Sequence, residues 1–533
     1  MTVLAGTGAL AKLAFRRDRI MLPAWVYVIT ALVASNSYSL NKLYPTAGAR
    51  ADLAASGGRN PALVFLYGRL SGDSLGAVSA WRYGVWAAIF AALMSVFLVV
   101  RHTRADEETG RLELVGSAAV GRLAALTAGL LVAVAANVAL ALLLAVALIF
   151  LGLPAAGSVA FALAITTCSL AFAAVAALTV QLAAGARAAR GMAIGVLGAA
   201  YLLRAVGDVA GSTGPSWLTW LSPLGWTEFV RPYTADRWWV LALPLALTAA
   251  AVAAAYVLAV IRDYGAGLLP DRPGRANASR WLRGPLGLGW RLQRGTLLGW
   301  AAGFAFTFAA SGAAAKGIGS LLGGSTQLRN AFTRLGGQAG ITNAYLAAIM
   351  SLAGLAAAAY ATSAVLRLRT EETEGRAELL LATATGRIRW GLSYVVVAVF
   401  GTAVLLAVGG LAAGLGYGLR TGSAGPEVAR LLGAAAAQLP ASLAVAGIAV
   451  VLLGTAPRAS VAGAWTVLGA VVVIALFGQV LRLSHWVLDI SPFTHVPKLP
   501  GGLVPAAPLL WLSLAALAFA AAGLAALRRR DIG

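Results

Sequence analysis

The fold is decided by apolar blocks such as residues 123–151, which read LAALTAGLLVAVAANVALALLLAVALIFL and contain no charged residue. A helix of about 20 apolar residues crosses the hydrocarbon core of a bilayer, and this block is longer than that. Inside a membrane every backbone polar group must be satisfied internally, which favours helices for blocks of this length. The block therefore predicts a transmembrane helix, long enough to tilt or break.

Similar blocks follow one another along the chain of 533 residues, of which 60% are hydrophobic and 11% charged. Soluble domains carry about 25% charged residues, so this composition excludes a soluble protein. We predict an all-α integral membrane protein with about twelve transmembrane helices. The predicted spans are 20–36, 82–100, 123–151, 157–182, 190–208 and 238–261, then 293–311, 343–366, 389–417, 429–455, 460–481 and 506–527.

The formal net charge of +22 comes mostly from arginines that stand singly or in small groups between the apolar blocks. Loop charges that orient a membrane protein have this distribution, and a nucleic-acid partner would need a basic stripe. Most of the 41 Arg and Lys residues fall on one side if both termini are cytoplasmic, which predicts a multi-pass protein of the plasma membrane. The three histidines are far apart, and the one cysteine, Cys168, stands alone, so no metal site is predicted.

The chain is internally repeated, with three landmarks in the same order in each half. The first is the pattern R-x-x-R-x-x-L-x-x-W, at 16–25 and again at 291–300. Basic residues next to apolar and aromatic ones are typical of a short helix lying on the inner leaflet, or of ordinary loop anchoring. We predict two six-helix halves, 1–262 and 290–533, joined by a cytoplasmic linker rich in Pro, Gly and Arg at 263–289.

The second landmark is a charged loop between the second and third spans of each half. The pattern D-E-x-x-G-R-x-E-L at 106–114 recurs as E-E-x-x-G-R-x-E-L at 371–379, at an offset of 376 − 111 = 265. Orientation does not require acidic residues inside, so they need another explanation. Three explanations stay open: a solvated turn, a helix with the i,i+4 ion pairs Glu107–Arg111 and Glu372–Arg376, or a docking surface duplicated for a partner.

The third landmark precedes the last span of each half, on the side predicted to be external. It consists of Ser222-Pro223 in the first half and Ser491-Pro492 in the second, each after a tryptophan-bearing amphipathic stretch. These stretches predict short helices that dip back into the outer leaflet.

The whole chain, with its two halves, charged loops and Ser-Pro segments, resembles the permease subunits of bacterial type-2 ATP-binding-cassette transporters. It is most similar to the actinobacterial group of polyketide-antibiotic and multidrug exporters. The resemblance implies a type V exporter fold and an ATPase made of two copies of a separate cassette subunit, which bind ATP and Mg²⁺. It assigns the coupling role to Asp106, Glu107, Gly110, Arg111 and Glu113, with Glu371, Glu372, Gly375, Arg376 and Glu378.

This chain is predicted to bind no cofactor and to be no enzyme itself. A phosphate-binding loop needs Gly-x-x-x-x-Gly-Lys-Ser/Thr, and none of the four lysines stands in such a sequence. The apolar lining favours a hydrophobic or amphipathic substrate, hence drug or antibiotic efflux and antibiotic resistance. Candidates for the substrate path, each also explained by packing, are Trp25, Trp86, Tyr201, Arg204, Trp300, Tyr345 and Tyr360.

The alternative function is a proton-coupled secondary multidrug transporter, since twelve helices in two halves also fit that class. Such a carrier needs a titratable acid within the membrane. The sequence places the acidic residues in loops or at span ends, and Asp208 is nearest to the interior. Asp208 and Arg204 also fit a local i,i+4 pair, so the sequence favours the ATP-driven class.

Overall fold

A computed structural model of the chain describes residues 3–58, 61–112, 120–211, 216–269, 277, 282, 284–321, 337–477, 484–501 and 506–531. Contacts divide the chain into two compact units, Met1–Gly274 and Arg275–Gly533. The division falls within the range predicted as a linker. All regular structure in the described residues is helical, which confirms the all-α prediction.

The described residues of unit one contain twelve α-helices and one 3-10 turn at Trp238–Leu241. The helices are α1 (Thr7–Arg17), α2 (Met21–Leu43), α3 (Ala47–Gly57), α4 (Pro61–Tyr67), α5 (Leu75–His102), α6 (Arg104–Glu108), α7 (Ala124–Phe150), α8 (Ala155–Leu182), α9 (Ala186–Ala210), α10 (Trp217–Trp220), α11 (Pro223–Phe229) and α12 (Ala242–Ile261).

Unit two contains nine α-helices in its described residues and a 3-10 turn at Pro492–His495. The helices are α13 (Pro285–Leu321), α14 (Gly337–Thr373), α15 (Arg376–Leu381), α16 (Arg387–Thr421), α17 (Ala424–Ala436), α18 (Leu439–Thr455), α19 (Ser460–Phe477), α20 (His485–Leu488) and α21 (Ala506–Arg529).

In the described part of the chain each predicted span falls on a helix, except that the span 429–455 covers two consecutive helices, α17 and α18. Ten spans are long and apolar enough to cross a membrane. The first span is a bent pair: α1 and α2 meet at 64°, and counting them as one gives eleven. The predicted span 460–481 falls on α19, which is shorter, and residues 478–481 lie outside the described part.

The core of unit one lies between α2, α5, α7 and α8. Ile29, Met94, Leu140 and Phe161 meet there, one from each helix, and all are at most 3% exposed. The central helix α8 packs against α5, α7, α9 and α12, so its long apolar stretch is buried within the unit. By contrast α12 is mostly exposed, as expected for a helix on the lipid-facing perimeter.

In unit two, small residues allow the long helices α13 and α16 to approach closely. A Cβ placed on Gly416 would lie 2.2 Å from the Ala309 carbonyl oxygen, and one on Gly312 would lie 2.2 Å from that of Ala413. Membrane helices commonly pack through small residues in this way, because lipid provides no hydrophobic drive for their association.

Candidate coupling site

The first charged loop begins where α5 ends, and the short helix α6 carries its acidic residues. Asp106 and Glu107 are both 8% exposed, so neither presents its carboxylate to a partner. The exposed Glu108 accepts a hydrogen bond from the Ala186 N–H at 3.0 Å and so caps the start of α9. These acidic side chains make their contacts within unit one.

Glu107 connects the loop to the end of the last helix of unit one. Arg262, directly after α12, donates two hydrogen bonds to the Glu107 carboxylate, each 3.0 Å long. The Arg104 guanidinium lies 3.0 Å from the same carboxylate, and the Gly265 N–H donates to it at 2.7 Å. Bidentate, charge-assisted hydrogen bonds are the strong class, so the geometry fixes α6 to the end of α12.

Asp106 connects the same loop to the first helix. Arg17, the last residue of α1, donates to the Asp106 carboxylate at 2.7 Å. Arg111, which follows the loop glycine, approaches the other oxygen at 3.5 Å. Adjacent acidic residues thus point to different neighbours, Asp106 towards α1 and Glu107 towards α12.

Unit two repeats the connection of the loop to its last helix. Glu372 stands at the constant offset from Glu107, and Arg369 donates to its carboxylate at 2.8 Å. Arg530, directly after α21, forms a second ion pair with Glu372. In both units, therefore, an arginine behind the last helix pairs with the second acidic residue of the motif.

Glu371 takes the place of Asp106 and binds arginines on both sides of the loop. Arg376 donates from Nε at 2.6 Å, and Arg367 donates from Nε at 2.9 Å. The hydrogen bonds to Glu371 raise the pKa of the Arg376 guanidinium. The start of α15 is therefore bonded directly to the end of α14.

The predicted i,i+4 pairs, Glu107 with Arg111 and Glu372 with Arg376, are wrong. Among the described residues Arg111 contacts Asp106, and Arg376 contacts Glu371 and Glu374. The reason is the intervening glycine, which has φ +71° in both loops and ends the helix before the arginine. Without a continuous helix, a spacing of four residues no longer places two side chains on one face.

Gly110 and Gly375 are needed for this backbone conformation and not for close approach of another element. A Cβ built on either glycine meets nothing within 4 Å. The left-handed region is costly for residues with a side chain, which explains a glycine at both positions.

A second Gly-Arg pair follows the motif in each half, at 121–122 and at 386–387, and its arginine contacts the end of the last helix of its unit. Arg122 donates from Nε to the Ala259 carbonyl at 3.1 Å, near the end of α12. At the same offset, Arg387 donates to the Arg530 carbonyl at 2.8 Å. The last carbonyl groups of a helix have no intrahelical hydrogen-bond partners. An arginine there donates hydrogen bonds to them, and its positive charge interacts favourably with the helix dipole.

Some of the predicted coupling residues lie on the surface. In α15 Ala377 is buried, while Glu378 is exposed and Leu379 is 76% exposed. Arg111 in the first loop is also exposed, and Glu113 lies outside the described residues. The motif thus divides into inner acidic residues that make ion pairs and an outer face on α15.

The Ser-Pro segment of unit one is folded back along α9. Ser222 is buried, and its hydroxyl donates to the Ala200 carbonyl at 2.6 Å while accepting from the Gly225 N–H at 3.4 Å. Ala200 lies ten residues before the end of α9 at Ala210, or about 15 Å at 1.5 Å per residue. In unit two Ser491 is likewise buried, before the turn that starts at Pro492. Entry of these segments into the membrane stays a prediction.

A buried ionic cluster in unit one surrounds Arg204. Its guanidinium lies 3.5 Å from the Asp208 carboxylate, the local pair suggested by the sequence, and 3.2 Å from that of Glu228. The backbone N–H of Arg69 donates to Glu228 at 3.3 Å, and its side chain donates to the Asp208 carbonyl. Burial raises the pKa of the Glu228 carboxyl to about 8, although the Arg204 guanidinium opposes this rise.

Sequence reasoning missed Glu228 and Arg69. Both residues lie outside the predicted spans. By the offset of the Ser-Pro segments (491 − 222 = 269), Glu228 corresponds to Pro497 in the second half, so no repeat indicates Glu228. A small cavity of about 30 Å³ borders the cluster and is lined by Glu228, Trp81 and Phe161 among others.

The predicted substrate-path residues of unit one lie in packed aromatic pairs. The Trp86 and Tyr201 rings are 6.1 Å apart, and the Arg204 guanidinium lies 4.6 Å above the Tyr201 ring. Trp25 packs against Phe97 at 6.2 Å. These contacts show what holds the rings in place, and a role in the substrate path stays a prediction.

In unit two, three of the predicted residues belong to one core. Trp300 and Tyr360 form an edge-to-face pair at 6.1 Å, and Tyr345 packs against the same hydrophobic cluster. The Tyr345 hydroxyl donates to the Ser311 carbonyl at 3.3 Å. Here too a role in the substrate path stays a prediction.

Comparison with known proteins agrees with this architecture. The family model described as "Multidrug efflux system permease Rv1217c, C-terminal domain" matches residues 282–528. The multidrug efflux system permease protein Rv1217c of Mycobacterium tuberculosis is 42% identical over 528 residues, which cover 99% of this chain and 95% of the relative.

With ten membrane-length helices in its described residues and this similarity along its whole length, the chain is a multi-pass membrane permease. More specifically, it belongs to the family of the multidrug efflux system permease protein Rv1217c.

Proposed function

We propose that this chain is the membrane-spanning permease of an ATP-driven exporter of hydrophobic or amphipathic drugs. The name of the relative from Mycobacterium tuberculosis supports drug efflux. The Arg and Lys distribution supports a bacterial plasma membrane with both termini cytoplasmic. Two copies of a separate ATP-binding cassette subunit supply ATP and Mg²⁺ chemistry, one copy at each charged loop.

The observation that carries the proposal is the pair of buried ion-pair connections behind the charged loops. Glu107 is bonded to Arg262, and Glu372 to Arg530, so each loop is joined to the end of the last helix of its unit. A solvated turn would not require buried carboxylates, because burying a charge is costly unless it is paired.

These connections suit a loop that transmits force. Buried ion pairs resist separation, because parting them leaves desolvated charges without partners. A partner that presses on α15 therefore displaces the ends of α14 and α21 together. The exposed Glu378 and Leu379 offer that partner one charged and one apolar contact.

The test is transport by the full chain in proteoliposomes with a purified ATP-binding cassette subunit, such as one encoded beside this chain. Accumulation of a hydrophobic dye in inverted vesicles should require both ATP and the added subunit, and should survive a protonophore. Uptake by the chain alone, driven by a proton gradient, would refute the proposal.

The buried carboxyl groups of Glu228 and Asp208 favour the alternative of a proton-coupled transporter. A titratable acid away from water is what proton exchange requires. The variant Glu228→Gln separates the two functions, since a proton-coupled carrier should lose uptake. An ATP-driven exporter should keep uptake within about twofold, provided that the variant melts at the temperature of the wild type.

A further inference from the structure

A separate cavity lies where α1 meets the end of α5 and the first charged loop. An open cavity of about 410 Å³ is present there. We call it the basic cavity, and its lining residues are Leu10, Leu13, Arg17, Arg101, Asp106, Arg111 and Leu112. It combines three guanidinium groups with three leucine side chains.

The arginines of the basic cavity keep donors for a ligand. Arg17 uses Nη1 for Asp106, and Arg111 uses Nη1 for the other oxygen of Asp106. Arg101 lies 3.3 Å from the carboxylate of the buried Asp18. A guanidinium has five N–H donors, so these contacts leave several on each side chain. Three cations against two carboxylates give a local net charge of 3 − 2 = +1.

The two units differ in the arginines at this cavity. The need to orient the protein in the membrane does not explain the difference. By the offset of the first landmark (291 − 16 = 275), Arg17 corresponds to Leu292. By the offset of the charged loop, Arg101 corresponds to Leu366 (101 + 265 = 366). A half of the same design thus exists without these two arginines.

The surroundings of the basic cavity match a membrane surface. Helix α1 meets α2 at 64° and exposes Leu13 and Phe15 next to the exposed Arg16. Exposed Ile20 continues this apolar surface at the bend. Helices of this kind lie in the interface, where their basic residues reach anionic headgroups.

We propose that the basic cavity binds the phosphodiester headgroup of an anionic glycerophospholipid, whose acyl chains lie along the apolar surface of α1. Arginine is well suited to this ligand, because its planar donors match two phosphate oxygens at once. The bound headgroup bridges α1, α5 and the first charged loop. The inference is independent of the proposed ATP-driven function.

The experiment measures lipid binding to the purified full chain in detergent, by native mass spectrometry and by the apparent melting temperature. Phosphatidylglycerol, phosphatidylcholine and inorganic phosphate are added in parallel. The variants are Arg17→Gln and Arg111→Gln, and the control is Arg16→Gln, which removes an exposed charge from the same helix outside the cavity lining.

Both lipids carry a phosphodiester, but the choline of phosphatidylcholine brings a quaternary ammonium next to the three guanidinium groups of the basic cavity. The wild type should therefore bind phosphatidylglycerol at least about tenfold more tightly than phosphatidylcholine. Both cavity variants should lose most of that preference, and Arg16→Gln should keep it. Arg17→Lys, which retains the charge, should keep part of it if Arg17→Gln does not fold.

Three results would overturn the proposal. Equal affinity for both lipids would show that the cavity does not select an anionic headgroup. Stabilisation by inorganic phosphate alone, equal to that by phosphatidylglycerol, would assign the cavity to a free anion. An equal loss in Arg16→Gln and the cavity variants would show general attraction to a charged surface.

Discussion

Glu107 and Arg262, 155 positions apart in the chain, form a bidentate ion pair with two bonds of 3.0 Å. The pair joins the loop after the second span to the end of the last helix of unit one. Glu372 and Arg530 join the same two places in unit two. Because this connection occurs twice, we regard it as the structural basis of the charged-loop repeat.

Removal of one partner should destabilise unit one strongly. Glu107→Ala leaves the guanidinium groups of Arg104 and Arg262 without their shared carboxylate, and breaking a buried pair costs about 3–5 kcal/mol. The apparent melting temperature of the full chain in detergent measures the loss. The matched control is Arg111→Ala, whose side chain is 61% exposed and should cost less than about 0.5 kcal/mol.

The double variant Glu107→Met with Arg262→Met separates the charge effect from packing. Replacing both charges with apolar side chains of similar volume is often neutral, so it should recover the part of the loss that comes from the unpaired Arg262. The part that comes from Arg104, which still lacks its carboxylate, should remain. A melting temperature of Glu107→Ala equal to that of the wild type would contradict the ion-pair assignment.

Gly375→Ala should cost about 1–2 kcal/mol, because φ is +71° at this position. The cost is conformational, since an added Cβ has open space. Gly375→Asn should be milder, as asparagine tolerates the left-handed region better. The control is Gly191→Ala on an open face of α9, where alanine should stabilise the helix by about 0.5–1 kcal/mol. Equal melting temperatures for Gly375→Ala and Gly191→Ala would contradict the account.

The stability of the Glu228→Gln variant relative to that of the wild type should increase as the pH rises. The pKa of Glu228 is raised from 4.5 to about 8 in the folded protein. Its protonated form therefore stabilises the fold below pH 4.5, and this contribution is lost as the pH rises through about 8. Glutamine stays neutral, so the free energy of unfolding of the variant should rise relative to that of the wild type by more than about 1 kcal/mol between pH 5 and pH 9.

Melting curves at pH 5, 7 and 9 measure that rise. Glu378→Gln changes an exposed acid and should show no such trend. If the difference in melting temperature between Glu228→Gln and the wild type stays constant across the three pH values, the raised pKa of the buried Glu228 carboxyl is contradicted.

Hydropathy and repeats were sufficient to predict the helices, since apolar blocks in a membrane have few structural options. The block at 123–151 corresponds to α7 within one residue at each end. The constant offset of 265 likewise predicted which residues of the two charged loops are equivalent. The twofold design of the charged loops was therefore available from the sequence.

The partners of the charged residues were not available from the sequence. Glu107 and Arg262 follow different spans, and a span pattern does not say which helix ends meet. A clue was present, because an arginine follows the last span in each half. The pair Arg204–Asp208 was found because it is local, while Glu228 joins it from a segment that hydropathy assigns to no span.

The central claim is that an ATP-binding cassette subunit docks on the exposed face of α15. Leu379→Asp places a charge on that face, and the apolar contact of Leu379 should then be lost. Leu419→Asp is the matched control, since Leu419 is 73% exposed and lies at the opposite end of α16 from the loop.

The most direct measurement is the amount of the ATP-binding subunit that co-purifies with each full-length variant, with melting temperature as the check on folding. Leu379→Asp should retain less than about a tenth of the affinity of the wild type for the subunit at α15, because losing a buried leucine contact costs at least about 1.5 kcal/mol. Leu419→Asp should retain all of it. A folded Leu379→Asp variant that holds two subunits as tightly as the wild type would contradict the account.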